Sequence, residues 1–124
     1  MVIHLGNRKR ETESMRITYL SIAVLDLVEI RAYLAKQPLQ EAQRIGNKLK
    51  KSIDALEQFP NLGKPGRVYG TRELTVPKIN NTNYIVVYRV VSRVSDQQIQ
   101  ILRVLPGMRD IDSILGEGFG NEEN

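Results

Sequence analysis

A chain of 124 residues, 41% apolar and 26% charged, is long enough to bury one hydrophobic core and too short for two. The absence of cysteine excludes disulfides, thiolate metal sites and cysteine nucleophiles, and a lone histidine, His4, leaves no material for a Ser/His/Asp triad or a His-based zinc site. The net charge of +4 is uneven: residues 15 to 115 carry fifteen basic against nine acidic side chains, a balance compatible with nucleic acid or an acidic protein as partner. No apolar run approaches membrane-spanning length, and the opening MVIHLGNRKRETES lacks the apolar region of a secretory signal. A cytoplasmic chain without membrane contact is therefore expected. No cofactor or metal is implied, so any catalysis would fall to Tyr, Lys, Arg, Asp or Glu.

Residues 1–14 are polar and aperiodic and read as a flexible extension, with Met15 an alternative start. Arg16 to Leu20 is a short β-prone run suited to a sheet edge, and Ser21 offers a helix N-cap. Ala23, Leu27, Ile30 and Leu34 then recur at helical spacing, with Val24 and Val28 widening the apolar stripe. Pro38 stops that helix near Lys36 and suits the first turn of a second, whose stripe is Ala42, Ile45, Leu49, Ile53 and Leu56. Arg44, Lys48 and Lys51 form a basic face on it, readable as a solvated surface or as a dock for an acidic segment. Only a few residues separate the two helices, which predicts an antiparallel hairpin. Phe59-Pro60 ends it, and Asn61 to Gly70 is a Gly/Pro-rich loop leading into β structure.

Thr71–Val76, Tyr84–Val91 and Gln98–Leu105 read as three strands of an antiparallel meander. The last two are apolar on both faces, and a helical hairpin covers only one face of a sheet. The material left in the chain is one helical turn at Asp110–Leu115, followed by a tail, residues 116–124, that reads as disordered. This shortage predicts that the second face is a partner surface. The domain is thus 15–115, of class α+β: an N-terminal edge strand plus the meander, packed on a helical hairpin.

In this order, the segments PNLGKPGRVYGTRELTVP, YIVVYRV and IQILRVL resemble the RelE/ParE superfamily of toxins from type II toxin-antitoxin, or plasmid-stabilisation, systems. The resemblance covers about Met15 to Asp110 and is closer to the ParE side. It implies a cognate antitoxin, in a possible hetero-oligomer, that lays a helix and an extended segment over the toxin and so supplies the missing cover. The ParE side implies stoichiometric inhibition of DNA gyrase. The RelE side implies an endoribonuclease that cuts mRNA on the ribosome with a cluster of basic residues, and a degenerate, non-toxic binding module is a further alternative. By the same resemblance Arg72 and Arg109 fall where RelE-like enzymes carry basic residues. Ile85 and Pro106, however, stand where those enzymes have a catalytic arginine and, in many relatives, a histidine, and this favours the ParE reading.

Each predicted strand places an arginine among apolar neighbours: Arg72, Arg89 and Arg103. Together with Arg67 and Arg109 these are the candidate contacts for target or antitoxin. For the three strand residues the alternative is that the stems lie on apolar neighbours and the heads reach solvent or pair locally, for example with Glu73. Tyr84 and Tyr88 read as core aromatics.

Overall fold

Period-two alternation along the longest strand sorts its side chains into two populations, and both are buried. The computed structural model describes residues 15–79 and 82–120. The extension at 1–14, with His4, and the last four residues lie outside the described residues. The elements are β1 (Arg16–Tyr19), α1 (Ser21–Leu34), α2 (Leu39–Asp54) continuing into a 3-10 turn (Ala55–Glu57), β2 (Lys64–Pro65), β3 (Arg72–Ile79), β4 (Thr82–Arg93), β5 (Asp96–Pro106) and α3 (Ile111–Gly116). The sheet order is β1-β5-β4-β3-β2.

The architecture is the expected α+β one, with differences of detail. The three meander strands all run longer than their sequence signals. The edge strand β1 joins parallel to β5, with Arg16 opposite Gln98 and Tyr19 opposite Ile101, so the sheet is mixed. A fifth, two-residue strand, β2, pairs with Arg72 and Glu73 of β3. α1 begins at Ser21 itself, and Leu20 is the N-cap with no side-chain cap bond, so Ser21 does not play the capping role expected of it.

On one face Val86, Tyr88 and Tyr84 of β4, Ile99, Ile101 and Val104 of β5 and Val76 of β3 pack against Ala23 and Ile30 of α1 and Ile45, Leu49 and Ile53 of α2. On the other, Ile85 and Val87 of β4 with Leu102 and Leu105 of β5 pack against Leu20, Ile111, Leu115 and Phe119. The expectation that the second face awaits a partner is corrected here: α3 and Phe119 cover its apolar half. Full burial of one such side chain contributes about 1.5–3 kcal/mol, so three of them suffice to hold a six-residue helix in place. Phe119, within the stretch read as a tail, is buried against this face. Asp110 starts α3 by accepting the Ser113 amide, an N-cap bond.

α1 departs from a simple amphipathic pattern. Val24, Leu25 and Val28 are 46%, 62% and 56% exposed, so Val24 and Val28 do not widen the buried stripe; they form an outward apolar one.

Candidate functional site

The five candidate arginines lie on three different surfaces, Arg72, Arg89 and Arg103 on strands and Arg67 and Arg109 in turns. Arg103 sits where β5 outruns its neighbour. β1 ends opposite Ile101, so the next residues of β5 have an edge without a strand partner. α1 crosses there and its Asp26 fills the gap, accepting the Val104 amide at 2.9 Å and both ends of the Arg103 fork at 2.7 and 2.8 Å. A β-bulge helps: Val87 faces Arg103 while Tyr88 faces Ile101, which leaves Leu102 as an extra residue and swings Arg103 toward the edge. Asp26 and Arg103 are both largely buried. The hydrogen bond to Asp26 raises the Arg103 pKa further, against the lowering effect of burial. Its charge is committed inside the fold.

Arg67 is committed in the same sense. It lies in a turn closed by the Gly66 amide on the Thr71 carbonyl and the Thr71 amide on the Val68 carbonyl, with Gly70 at φ +84. That turn points the Arg67 amide and guanidinium at one carboxylate. Glu73 accepts the backbone amide and Nε on Oε2 at 2.9 Å each and a second guanidinium nitrogen on Oε1 at 3.0 Å. The remaining nitrogen reaches Asp112 of α3 at 3.0 Å. Glu73 is 3% exposed. Burial pushes its carboxyl up, and the hydrogen bonds and charge of Arg67 outweigh that and leave it below the usual carboxylate range. The fork thus ties the Gly/Pro loop, β3 and α3 together. It also shows that the local pair expected between Glu73 and a strand arginine is made instead by the loop arginine.

Arg72 lies across from Tyr88, on the helix-covered side of the sheet, and its Nε meets Asn61 Oδ1 at 3.5 Å. Tyr88 organises that corner: its hydroxyl donates to the Pro60 carbonyl at 2.7 Å and accepts the Gly63 amide at 2.9 Å. Gly63 is required there, since a Cβ would stand 2.8 Å from both the Tyr88 ring and the Glu73 carbonyl. Arg89 alternates with Tyr88 and Val90 and so points to the other face, where its Nε donates to Gln100 at 2.7 Å. The three strand arginines therefore share no single face. Arg72 and Arg89 face opposite ways and Arg103 turns to the edge.

Arg109 is exposed, in the turn after β5 that is closed by its amide on the Pro106 carbonyl. It stands at the rim of a cavity of about 320 Å³ lined also by Tyr33, Tyr84, Pro106 and Met108. Burial, then the neighbouring Tyr33, pushes the Tyr84 hydroxyl pKa up. Arg72 and Arg109 do not converge: their strand neighbours Tyr88 and Tyr84 are four residues apart on β4, about 13 Å, and Arg109 lies beyond Pro106 on the far side. Ile85 is buried beneath α3.

A second surface was only partly visible in the sequence. α2 and the outer edge of β3 flank an open cleft of about 980 Å³, with Arg44, Lys48 and Lys51 on one wall and Leu62, Leu74 and Pro77 on the floor and opposite side. The i, i+4, i+7 spacing of the cations was legible. The cleft was not, because it depends on β2 stopping after two residues.

The family model described as the ParE toxin of the type II toxin-antitoxin system, parDE, matches residues 17–111. The chain belongs to this family. The matched span runs from β1 into the first residue of α3, and so covers the whole sheet of the ParE-type toxin. A curated relative named "Putative toxin Y4kP", from Sinorhizobium fredii strain NGR234, is 34% identical over 90 residues, 73% of this chain and 85% of that protein. Among solved structures, a chain of the "Chromosomal ParDE TA system from P. aeruginosa" superposes with a TM-score of 0.61 at 25% identity, covering 76% of this toxin and 97% of that chain. Among the described residues no helix is long and apolar enough to cross a membrane.

Proposed function

We propose that this ParE-type toxin inhibits DNA gyrase by stoichiometric binding that traps cleaved DNA, and that a cognate antitoxin holds it inactive in the cytoplasm. Within the family membership established over residues 17–111, the observation that carries the gyrase reading is the burial of Ile85. Ribonuclease chemistry of the RelE kind needs several cations converging on one phosphate to stabilise the developing charge. At position 85 an arginine would have to enter the core formed by Val87, Leu105, Ile111 and Leu115. Arg72 and Arg109 stand apart, and Arg67 and Arg103 are held by Glu73 and Asp26. This distribution favours contact with a protein target over catalysis. The similarity to a solved chain of a ParDE toxin-antitoxin system supports an antitoxin as the controlling partner.

The test pairs two assays on the purified full chain. Incubated with gyrase, ATP and supercoiled plasmid, it should accumulate linear DNA in proportion to toxin added, up to stoichiometry. With programmed ribosomes it should leave mRNA intact. Cleavage of ribosome-bound mRNA with gyrase untouched would overturn the reading in favour of an endoribonuclease.

A further inference from the structure

We propose that the cavity enclosed by α1, the first residues of β4 and the turn after β5 binds a free aromatic amino acid, a small zwitterion with a flat body. Such a site stands whether or not gyrase is the target. Tyr84 is 3% exposed, and its ring packs in the core as its strand position dictates. Its hydroxyl, however, has no hydrogen-bond partner among the described residues, whereas every fully enclosed side-chain nitrogen or oxygen among them has one. The hydroxyl therefore reaches open space, and the space that Tyr84 lines is this cavity of about 320 Å³. A buried phenol normally finds a partner, as that of Tyr88 does at Pro60 and Gly63. Burial and the neighbouring Tyr33 push the Tyr84 pKa up, so at neutral pH the group stays protonated and can both donate and accept.

The walls suit a flat apolar body. Asp26, Glu29, Ile30 and Tyr33 recur at helical spacing and so share the face of α1 that forms one side. Tyr84 and, opposite it in register, Pro106 form the other with Val104 and Leu105. The turn after β5 makes the mouth. The Gly107 amide donates to the Asn83 carbonyl at 2.9 Å and the Arg109 amide to the Pro106 carbonyl at 3.1 Å, and any side chain at position 107 would meet that of Asn83. The turn is thus pinned, which sets Met108 and Arg109 at the rim. Two tyrosine rings, a methionine and aliphatic groups hold an aromatic ring well. Ligand pockets run from about 300 to 1,000 Å³, so this one has room for one ring system with a polar head.

The charges select the head group. Asp26 is already taken, since its two oxygens accept both ends of the Arg103 fork and the Val104 amide. Glu29 of α1 and Arg109 of the turn are exposed, and neither has an ion-pair partner among the described residues. One free anion and one free cation at the same mouth suit a ligand that carries both charges, its ammonium toward Glu29 and its carboxylate toward Arg109. The phosphate of a nucleotide would meet one free cation against two carboxylates, and a simple amine would meet Arg109 unopposed. Inside, the Tyr84 hydroxyl favours a ring with its own N–H or O–H, an indole or a phenol. A plain phenyl ring would seal that hydroxyl away from any partner.

The chain has no tryptophan, so indole emission reports the ligand alone. L-tryptophan titrated with the full chain should show a saturable blue shift and a rise in anisotropy at one site per chain. L-tyrosine should compete for it, and L-phenylalanine about tenfold more weakly, the effect of one buried hydrogen bond. Tryptamine, which lacks the carboxylate, and indole-3-propionate, which lacks the ammonium, should each bind about tenfold more weakly than tryptophan. Tyr84→Phe should bring tryptophan down to the level of phenylalanine and leave urea stability unchanged, since that hydroxyl holds nothing within the fold. Arg109→Gln and Glu29→Gln, at exposed positions, should each weaken tryptophan, the first without effect on tryptamine and the second without effect on indole-3-propionate. Lys50→Gln, off the cavity, should change nothing. Absence of saturable binding, tryptophan affinity unmoved by Tyr84→Phe or by both rim substitutions, or binding of either indole analogue as tight as that of tryptophan would each overturn the proposal.

Discussion

Asp26 holds the Arg103 guanidinium and the Val104 amide with one carboxylate, at 2.7 to 2.9 Å, and so finishes the edge of β5 where β1 stops. Two chain segments separated by 77 residues are joined at a point where a strand edge would otherwise be buried without partners. Removing one member of such a pair strands the other charge in a poorly hydrated site, which costs about 3–5 kcal/mol. Asp26→Ala is therefore expected to lose about 3 kcal/mol or more in urea unfolding, and Arg103→Met distinctly less, because methionine leaves only an anion that still has the Val104 amide. Equal, small losses for both would show the pair to be solvated.

Glu73 makes stability depend on pH. Its carboxyl is held below the ordinary range, so its contribution is fully present above the unfolded value of about 4.3 and is lost as pH falls through the lower folded value. Glu73→Gln keeps the shape and removes the titration. Its unfolding free energy should be lower than wild type at neutral pH, and the gap should narrow as pH drops below about 4.3. Denaturation curves at a series of acid pH values check this. Parallel acid limbs for the two proteins would refute it.

Tyr88 and Gly63 fit one another at the Pro60–Gly63 corner. Tyr88→Phe removes the hydroxyl and leaves the Gly63 amide and Pro60 carbonyl without it, a cost of about 1–3 kcal/mol. Gly63→Ala drives a methyl into the Tyr88 ring and the Glu73 carbonyl, with a penalty of about 1–3 kcal/mol from overpacking. The two lie in contact, so their effects should not add, and the shortfall in the double variant measures the coupling.

α3 is predicted to be integral to the domain. Leu115→Ala should destabilise by about 2–4 kcal/mol, as deletion of buried methyls does. A chain ending at Asp110 should expose Ile85, Val87, Leu102 and Leu105 and bind a hydrophobic dye. A truncated chain that stayed folded and dye-free would show that this cover is dispensable.

How far the sequence is legible depends on the range of each interaction. The helices and the three long strands announce themselves because their signals are local: the stripe from Ala42 to Leu56, and the doubly apolar runs at Tyr84–Val91 and Gln98–Leu105. The helical turn at Asp110–Leu115 was legible, but its reach as cover for the second face was not, because Phe119 adds its contact from a stretch of glycines that carries no local signal. The partners that two of the arginines take within the fold were hidden for a related reason. Arg103 answers to Asp26 and Arg67 to Asp112, partners 77 and 45 positions away that no window along the chain brings together. Val24 and Val28 fit a buried and an outward stripe equally well, since α1 is apolar on nearly all sides.

The parallel pairing of β1 with β5 sets a clock on the protein's own synthesis. Its partners lie about 80 positions apart, and contacts of that separation form late and slowly. On the ribosome Arg16–Tyr19 emerge early and wait for Gln98–Ile101, and α3 follows later still. A nascent chain that has not yet reached Gln98 thus lacks the strand against which β1 pairs. Chains arrested before Gln98 should accordingly be digested by protease where the released protein resists.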